Sequence, residues 1–259
     1  GNPRYINLDD VQRWIATASY RKLKDECLDL PPKVEERRYF ELTDEEARLY
    51  CQLRETYLLE MSAQEVIPVT LTITRMLRLQ QIASGFLPAM GEEPVKRIAP
   101  TASRLAALVT LLEEVPRTAS VIIWARFRAD IDLICDRLGT LYGPESIARY
   151  DGMVENEERA RNKARFQSGA ARFFVGNPAA GGKGLTLIQA ATMIYYSNSF
   201  RLEHRLHSED RAHRIGQTQR LTIFDLMALD TVDFKVVHAL RAKKDLATLV
   251  TGDPKGDWI

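Results

Sequence analysis

From residue 101 onward one pattern repeats along the chain: a short apolar run, a stretch with helical periodicity, then another short apolar run. Val121-Ile122-Ile123-Trp124 is apolar at each position, which suits a strand covered on both faces rather than one with a wet side. Similar runs at 147–150, 172–176, 193–197 and 221–226 alternate with helical stretches at 103–115, 129–141, 156–167, 184–191, 203–212 and 232–241. The order predicts an α/β fold in which a parallel sheet carries helices on both faces. Leu105, Leu108, Val109 and Leu112 are expected to form the buried face of the first of these helices. Ligands in such sheets gather at the carboxyl ends of the strands, so the loops after each strand are where a site is sought.

Upstream, Arg21-Lys22-Leu23-Lys24 is followed by Leu30-Pro31-Pro32-Lys33, whose paired prolines impose an extended backbone and end any preceding helix. A strand-like stretch at 34–42 leads to Thr43 and Glu46, which have capping-box spacing and predict a helix start. Tyr50, Leu53, Tyr57, Leu58 and Met61 then fall on one stripe. A second helix is expected over 68–84, with Val69, Ile73, Met76, Leu77 and Gln80 on one side, and a surface loop over 91–100. The predicted division is a connector (1–33), a helical insert (34–100), an α/β lobe (101–242) and a C-terminal tail (243–259). Asp44-Glu45 imitates a magnesium-binding acidic pair, but it opens an amphipathic helix instead of ending a buried strand.

Thirty-six basic residues against thirty-five acidic ones leave a formal charge of +1, so any nucleic-acid binding must rest on a local patch. Cys27, Cys51 and Cys135 are far apart and form no C-x-x-C, which argues against a disulfide framework or thiolate zinc site and favours a reducing compartment. No apolar run approaches the roughly 20 residues of a membrane span, and the N-terminus lacks an apolar signal core. The expectation is a protein that is neither secreted nor membrane-embedded, in a bacterial or phage-infected cytoplasm, or in the nucleus if the source is eukaryotic.

Two stretches carry candidate chemistry. In Arg211-Ala212-His213-Arg214-Ile215-Gly216-Gln217, a helix over 206–214 would project Arg211 and Arg214 from one face, where two guanidinium forks converge on one phosphate group. In Gly176-Asn177-Pro178-Ala179-Ala180-Gly181-Gly182-Lys183-Gly184 the glycines let backbone amides approach an anion, although a purely structural strand-to-helix turn fits too. It is not a Walker A loop, because Asn177 and Gly184 stand where that pattern needs glycine and Ser/Thr. His204 and His207 have H-x-x-H spacing, but no carboxylate or cysteine pattern completes a zinc site.

Asp210 to Gln217 follows the last signature motif of the Swi/Snf-type remodelling ATPases, D-R-x-H-R-I-G-Q, and the chain resembles that branch of the superfamily-two helicases. Gly181-Gly182-Lys183-Gly184-Leu185-Thr186-Leu187 resembles the family's G-G-x-G-L-N-L, Tyr150-Asp151-Gly152 with Arg159 its Y-D-G…R, and 121–132 its DNA-facing strand and loop. The resemblance implies a RecA-like second motor lobe with a small helical insert, acting in a DNA-dependent ATPase or translocase. It implies Arg214 and Arg211 as catalytic arginines, Gly182, Gly184 and Gln217 in contact with nucleotide, and Lys183, Arg126, Gly152 and Arg159 on the DNA backbone. Arg159 equally suits a helix-surface pair with Glu155 at i,i+4. The implied cofactor is ATP with Mg²⁺, held mainly by a first lobe that lies upstream; the implied partners are that lobe and double-stranded DNA, with no membrane. Walker A and B motifs are absent from the sequence, so the chain alone is expected to be inactive. His207, Thr186 and Phe200-Arg201-Leu202, where the family has glutamine, asparagine and W-N-P, favour the alternative of a non-catalytic nucleic-acid-binding or scaffolding lobe whose motor function has decayed.

Overall fold

A computed structural model describes residues 7–18, 28–62, 69–87, 95–99, 101–180 and 185–251. Six strands form one sheet: β1 (Lys33–Phe40), β4 (Ser120–Trp124), β5 (Ile147–Tyr150), β6 (Phe173–Gly176), β7 (Ala190–Tyr195) and β8 (Leu221–Ala228). Their order is β1-β8-β7-β4-β6-β5 and each neighbouring pair is parallel. Strands β2 (Phe86–Leu87) and β3 (Lys96–Arg97) form a separate short antiparallel pair.

The apolar runs are explained by cover on both faces. Val121 and Ile123 of β4 pack with Leu105, Leu108 and Leu112 of α4 (Ser103–Glu114) and with Ile131 and Ile134 of α5 (Arg128–Tyr142). Ile122 and Trp124 face the other way, against Phe166 of α6 (Asn156–Gln167), Leu187 and Ala212. The four β4 side chains are fully buried, each worth about 1.5–3 kcal/mol or more of transfer free energy. Leu111 joins that core, whereas Val109 is half-buried.

The expected capping box forms: Glu46 N donates to Thr43 Oγ1 at 3.3 Å and Thr43 N to Glu46 Oε2 at 3.0 Å, starting α2 (Asp44–Ser62). Glu46 is fully buried, and it also accepts from Ser103 Oγ at 2.5 Å, fastening α2 to the start of α4. Helix α3 (Val69–Ala83) packs beside α2, but Leu58 and Ile73 stay 56% and 51% exposed, so neither stripe is wholly core.

Several elements differ from expectation. The helix expected over 184–191 does not form: Leu185 and Leu187 are buried around a half-exposed Thr186, a period of two, and β7 begins at Ala190. The helix expected to run through 212 is α7 (Leu202–Glu209), and Asp210 caps it, so Arg211 and Arg214 are not helical. The strand at the head of the insert is an edge strand of the main sheet, paired with β8 from Lys33↔Leu221 to Phe40↔Ala228. Helix α8 (Val232–Thr251) continues ten residues past 241, and a helix α1 (Leu8–Ala18) lies within the expected connector. Within the expected 91–100 loop Lys96–Arg97 forms β3, while residues 91–94 and 100, the basic run 21–24, Gly181 to Gly184 and residues 252–259 lie outside the described residues. Among the described residues no helix is long and apolar enough to cross a membrane.

Candidate functional site

The arginine turn is built by helix termination. Asp210 N still donates to Leu206 O at 3.0 Å and His213 N to Glu209 O at 2.9 Å, after which the chain reverses and Gln217 N bonds Arg214 O at 3.0 Å. Gly216 has φ +96°, a backbone conformation that L side chains rarely adopt, and a Cβ there would stand 2.9 Å from Ile188 Cδ1. Gln217 is buried: its amide donates to Ala190 O at 3.0 Å and Ala212 O at 3.3 Å, while its Oε1 accepts from Gln219 N at 2.9 Å. Those bonds place the turn at the amino ends of β7 and β8. Arg214 donates through Nη1 to Leu185 O at 3.4 Å and to Thr186 Oγ1 at 3.2 Å. The Arg211 carbonyl accepts from Leu187 N at 2.8 Å, and its side-chain Nε is buried with no hydrogen-bond partner.

Beneath the turn, α7 is anchored by Arg205, which bonds Asp225 Oδ1 at 2.5 Å and Glu209 Oε1 at 2.6 Å and lies 3.6 Å over the Tyr195 ring. Glu209 also binds Lys33 Nζ at 2.6 Å, and His213 Nε2 lies 2.9 Å from Pro31 O. The L-P-P-K segment is thereby pinned to the arginine turn on both sides.

Arg126, Gly152 and Arg159 lie at the other end of the sheet, after the carboxyl ends of β4 and β5. Arg126 N donates to Ser197 Oγ at 2.8 Å, and its guanidinium bonds the Gln80 side chain of α3 and stacks 5.4 Å from the Phe127 ring. Burial, with Arg201 nearby, lowers its pKa. Gly152 is exposed in a turn that Asp151 closes by accepting Met153 N at 2.8 Å. Arg159 Nε donates to Val154 O at 2.7 Å with its guanidinium 6.0 Å from the Tyr150 ring, so this side chain is committed to the turn rather than to Glu155. Gly182, Lys183 and Gly184 lie outside the described residues.

One segment joins the two ends. Asn177 Nδ2 donates to Arg126 O at 2.7 Å where the glycine-rich loop leaves β6, and Thr186 meets Arg214 where the same loop approaches β7. Sequence reasoning missed Gln80 and Arg205. Gln80 was visible as the one polar member of an apolar stripe; Arg205 carried no signal, because an arginine amid the charges of 203–211 reads as surface.

Arg211 Nε is thus buried without an acceptor, while Arg214 is held by one hydroxyl and one long carbonyl contact; guanidinium donors in general pair with phosphate or carboxylate oxygens that can reach them. Among the described residues no three His, Cys, Asp or Glu side chains gather as metal ligands.

Residues 103–216 match the helicase conserved C-terminal domain family. The chain is 25% identical over 248 residues, 91% of its length, to Protein CHROMATIN REMODELING 4 of Arabidopsis thaliana, and 26% identical over 230 residues, 87% of its length, to the putative ATP-dependent helicase/translocase YwqA of Bacillus subtilis. It spans only 11% and 25% of those relatives. Its fold matches the Sulfolobus solfataricus SWI2/SNF2 ATPase core in complex with dsDNA, with TM-score 0.65 at 22% identity, covering 95% of this chain and 52% of that one. Residues 103–216 are thus a helicase conserved C-terminal domain, on a chain whose relatives and RecA-like fold are those of the Swi/Snf-type ATPases.

Proposed function

We propose that this chain is the second motor lobe of a DNA-dependent Swi/Snf-like translocase, supplying arginines to ATP at one end of its sheet and backbone contacts to duplex DNA at the other. The observation that carries the reading is the 177–187 loop, hydrogen-bonded to Arg126 at its start and to Arg214 near its end. A change at the phosphate side can reach the DNA side through this one covalent segment.

Arg214 and Arg211 take the role of stabilising negative charge on the γ-phosphate, and an arginine so placed is worth on the order of 10³–10⁵ in rate. Gly182 and Gly184 offer amides to the nucleotide; Gln217, expected beside them from the motif, is buried with its amide bonded to Ala190, Ala212 and Gln219, and acts instead by positioning the turn. ATP with Mg²⁺ supplies the phosphoryl group and is held mainly by an upstream RecA-like lobe; this chain's residues orient and neutralise. Lys183, Arg126, Gly152 and Arg159 contact the DNA backbone, Arg126 after release from Gln80. The dsDNA-bound relative in fold supports that partner.

The test joins this lobe to its upstream lobe and measures ATP hydrolysis with and without duplex DNA. DNA-stimulated turnover, weakening steeply with salt as phosphate contacts do, supports the reading. Absence of ATPase activity with DNA binding retained would identify the chain as a binding or scaffolding lobe instead. This chain by itself is expected to hydrolyse no ATP.

A further inference from the structure

On the flank remote from the arginine turn, a cavity of about 270 Å³ lies between α2, α3 and the turn from β8 into α8. Its walls are largely apolar, from Tyr50, Tyr57, Leu58, Met76 and Leu79, and Arg54, Arg75 and Lys235 bring three positive charges to it. Arg75 is 6% exposed. Its Nη2 pairs with Glu60 Oε2 at 2.7 Å and its guanidinium lies 5.4 Å over the Tyr57 ring, yet Nε and Nη1 are buried with no hydrogen-bond partner.

A buried guanidinium with two unsatisfied N–H groups is costly, and stacking on a ring face does not satisfy in-plane donors. Glu60 is half-exposed and engages one nitrogen. The carboxylate among the lining residues, Asp230, stands at the turn from β8 into α8, with φ +56°. The cavity therefore sets a guanidinium with two unmet N–H groups in its wall, beside room for an apolar body of about one ring and a short chain.

We propose that this cavity is a binding site for a small amphipathic carboxylic acid, an aryl or branched alkyl group bearing one carboxylate, with Arg75 as the anion-recognising residue. The apolar body lies against Tyr57, Met76 and Leu79, and Lys235 draws the carboxylate in from the rim. Such a ligand bridges the helical insert and the α/β lobe, bracing α3, which also carries Gln80.

The test uses 3-phenylpropanoate on the intact chain, read by ¹H–¹⁵N NMR, including the Arg75 Nε–H signal. Saturable binding is expected, with 3-phenylpropanamide and inorganic phosphate each at least about tenfold weaker, since the first lacks the charge and the second the apolar body. R75Q should abolish the preference for acid over amide, and K235Q should weaken the acid several-fold while leaving the amide unchanged. If R75Q does not fold, the acid, amide and phosphate series on the unaltered chain still decides. No saturable shift, equal affinity for acid and amide, or phosphate binding as well as the acid would each overturn the proposal.

Discussion

Thr186 Oγ1 accepts a hydrogen bond from Arg214 Nη1 at 3.2 Å, joining the loop that leaves β6 to the turn that follows α7. The two residues are 28 positions apart in sequence, and the contact makes the orientation of Arg214 depend on the loop. Thr186→Val keeps the shape and removes the acceptor. In the two-lobe protein it should lower kcat about tenfold, the worth of a hydrogen bond to a charged group, with the melting temperature unchanged. Thr186→Asn restores an acceptor and should recover most of the rate. Steady-state ATPase kinetics and a thermal melt check both.

Arg205 is buried with Asp225 and Glu209 as its partners and Tyr195 beneath it. Arg205→Met leaves both carboxylates buried without their shared cation, and removing one member of such a cluster costs about 3–5 kcal/mol. Urea denaturation of the intact chain measures it; a loss below about 1 kcal/mol would mean the cluster contributes little.

The sheet was legible because its strands are covered on both faces, which makes Val121 to Trp124 uniformly apolar. The arginine motif was legible as a string of residues but not as a shape. A period of 3.6 through Arg214 predicts a helix, whereas Asp210 caps α7 and the buried Ala212 and Gln217 set a turn instead. The 184–191 stretch was misread for a similar reason: Leu185 and Leu187 fit a short alternating segment as well as a helical one, and only their contact with Ala212 decides. Lys33 with Glu209 and Arg126 with Gln80 are 176 and 46 residues apart, and no local pattern announces such pairs.

Asp130 is fully buried, and burial raises its pKa to about 7, partly offset by the hydrogen bond from Ser197 at 2.6 Å. Unfolded, the group titrates near 3.8. Between these values the folded state keeps a proton that the unfolded state loses, so this residue's contribution to stability is full below about pH 4 and is lost as pH rises towards 7. Asp130→Asn removes the effect. The stability of the variant relative to the unaltered chain should rise across that window by up to about 1.4 kcal/mol per pH unit, read from denaturation curves at pH 5, 6 and 7. A constant difference would contradict it.

Burial raises the Cys135 thiol to about 12, and Arg149 beside it lowers it only in part. Cys51 is exposed. Iodoacetamide at pH 8 should label Cys51 in the native chain and spare Cys135 until denaturant is added, because the thiolate is the reacting form. Peptide mass mapping distinguishes the two.

The most direct test of the γ-phosphate role of Arg214 is Arg214→Ala in the two-lobe protein, assayed for DNA-stimulated ATP hydrolysis with DNA affinity and melting temperature measured in parallel. The expected result is a fall in kcat of at least about 10³-fold with folding and DNA binding intact. Hydrolysis near the unaltered rate would contradict the assignment of this turn to the γ-phosphate.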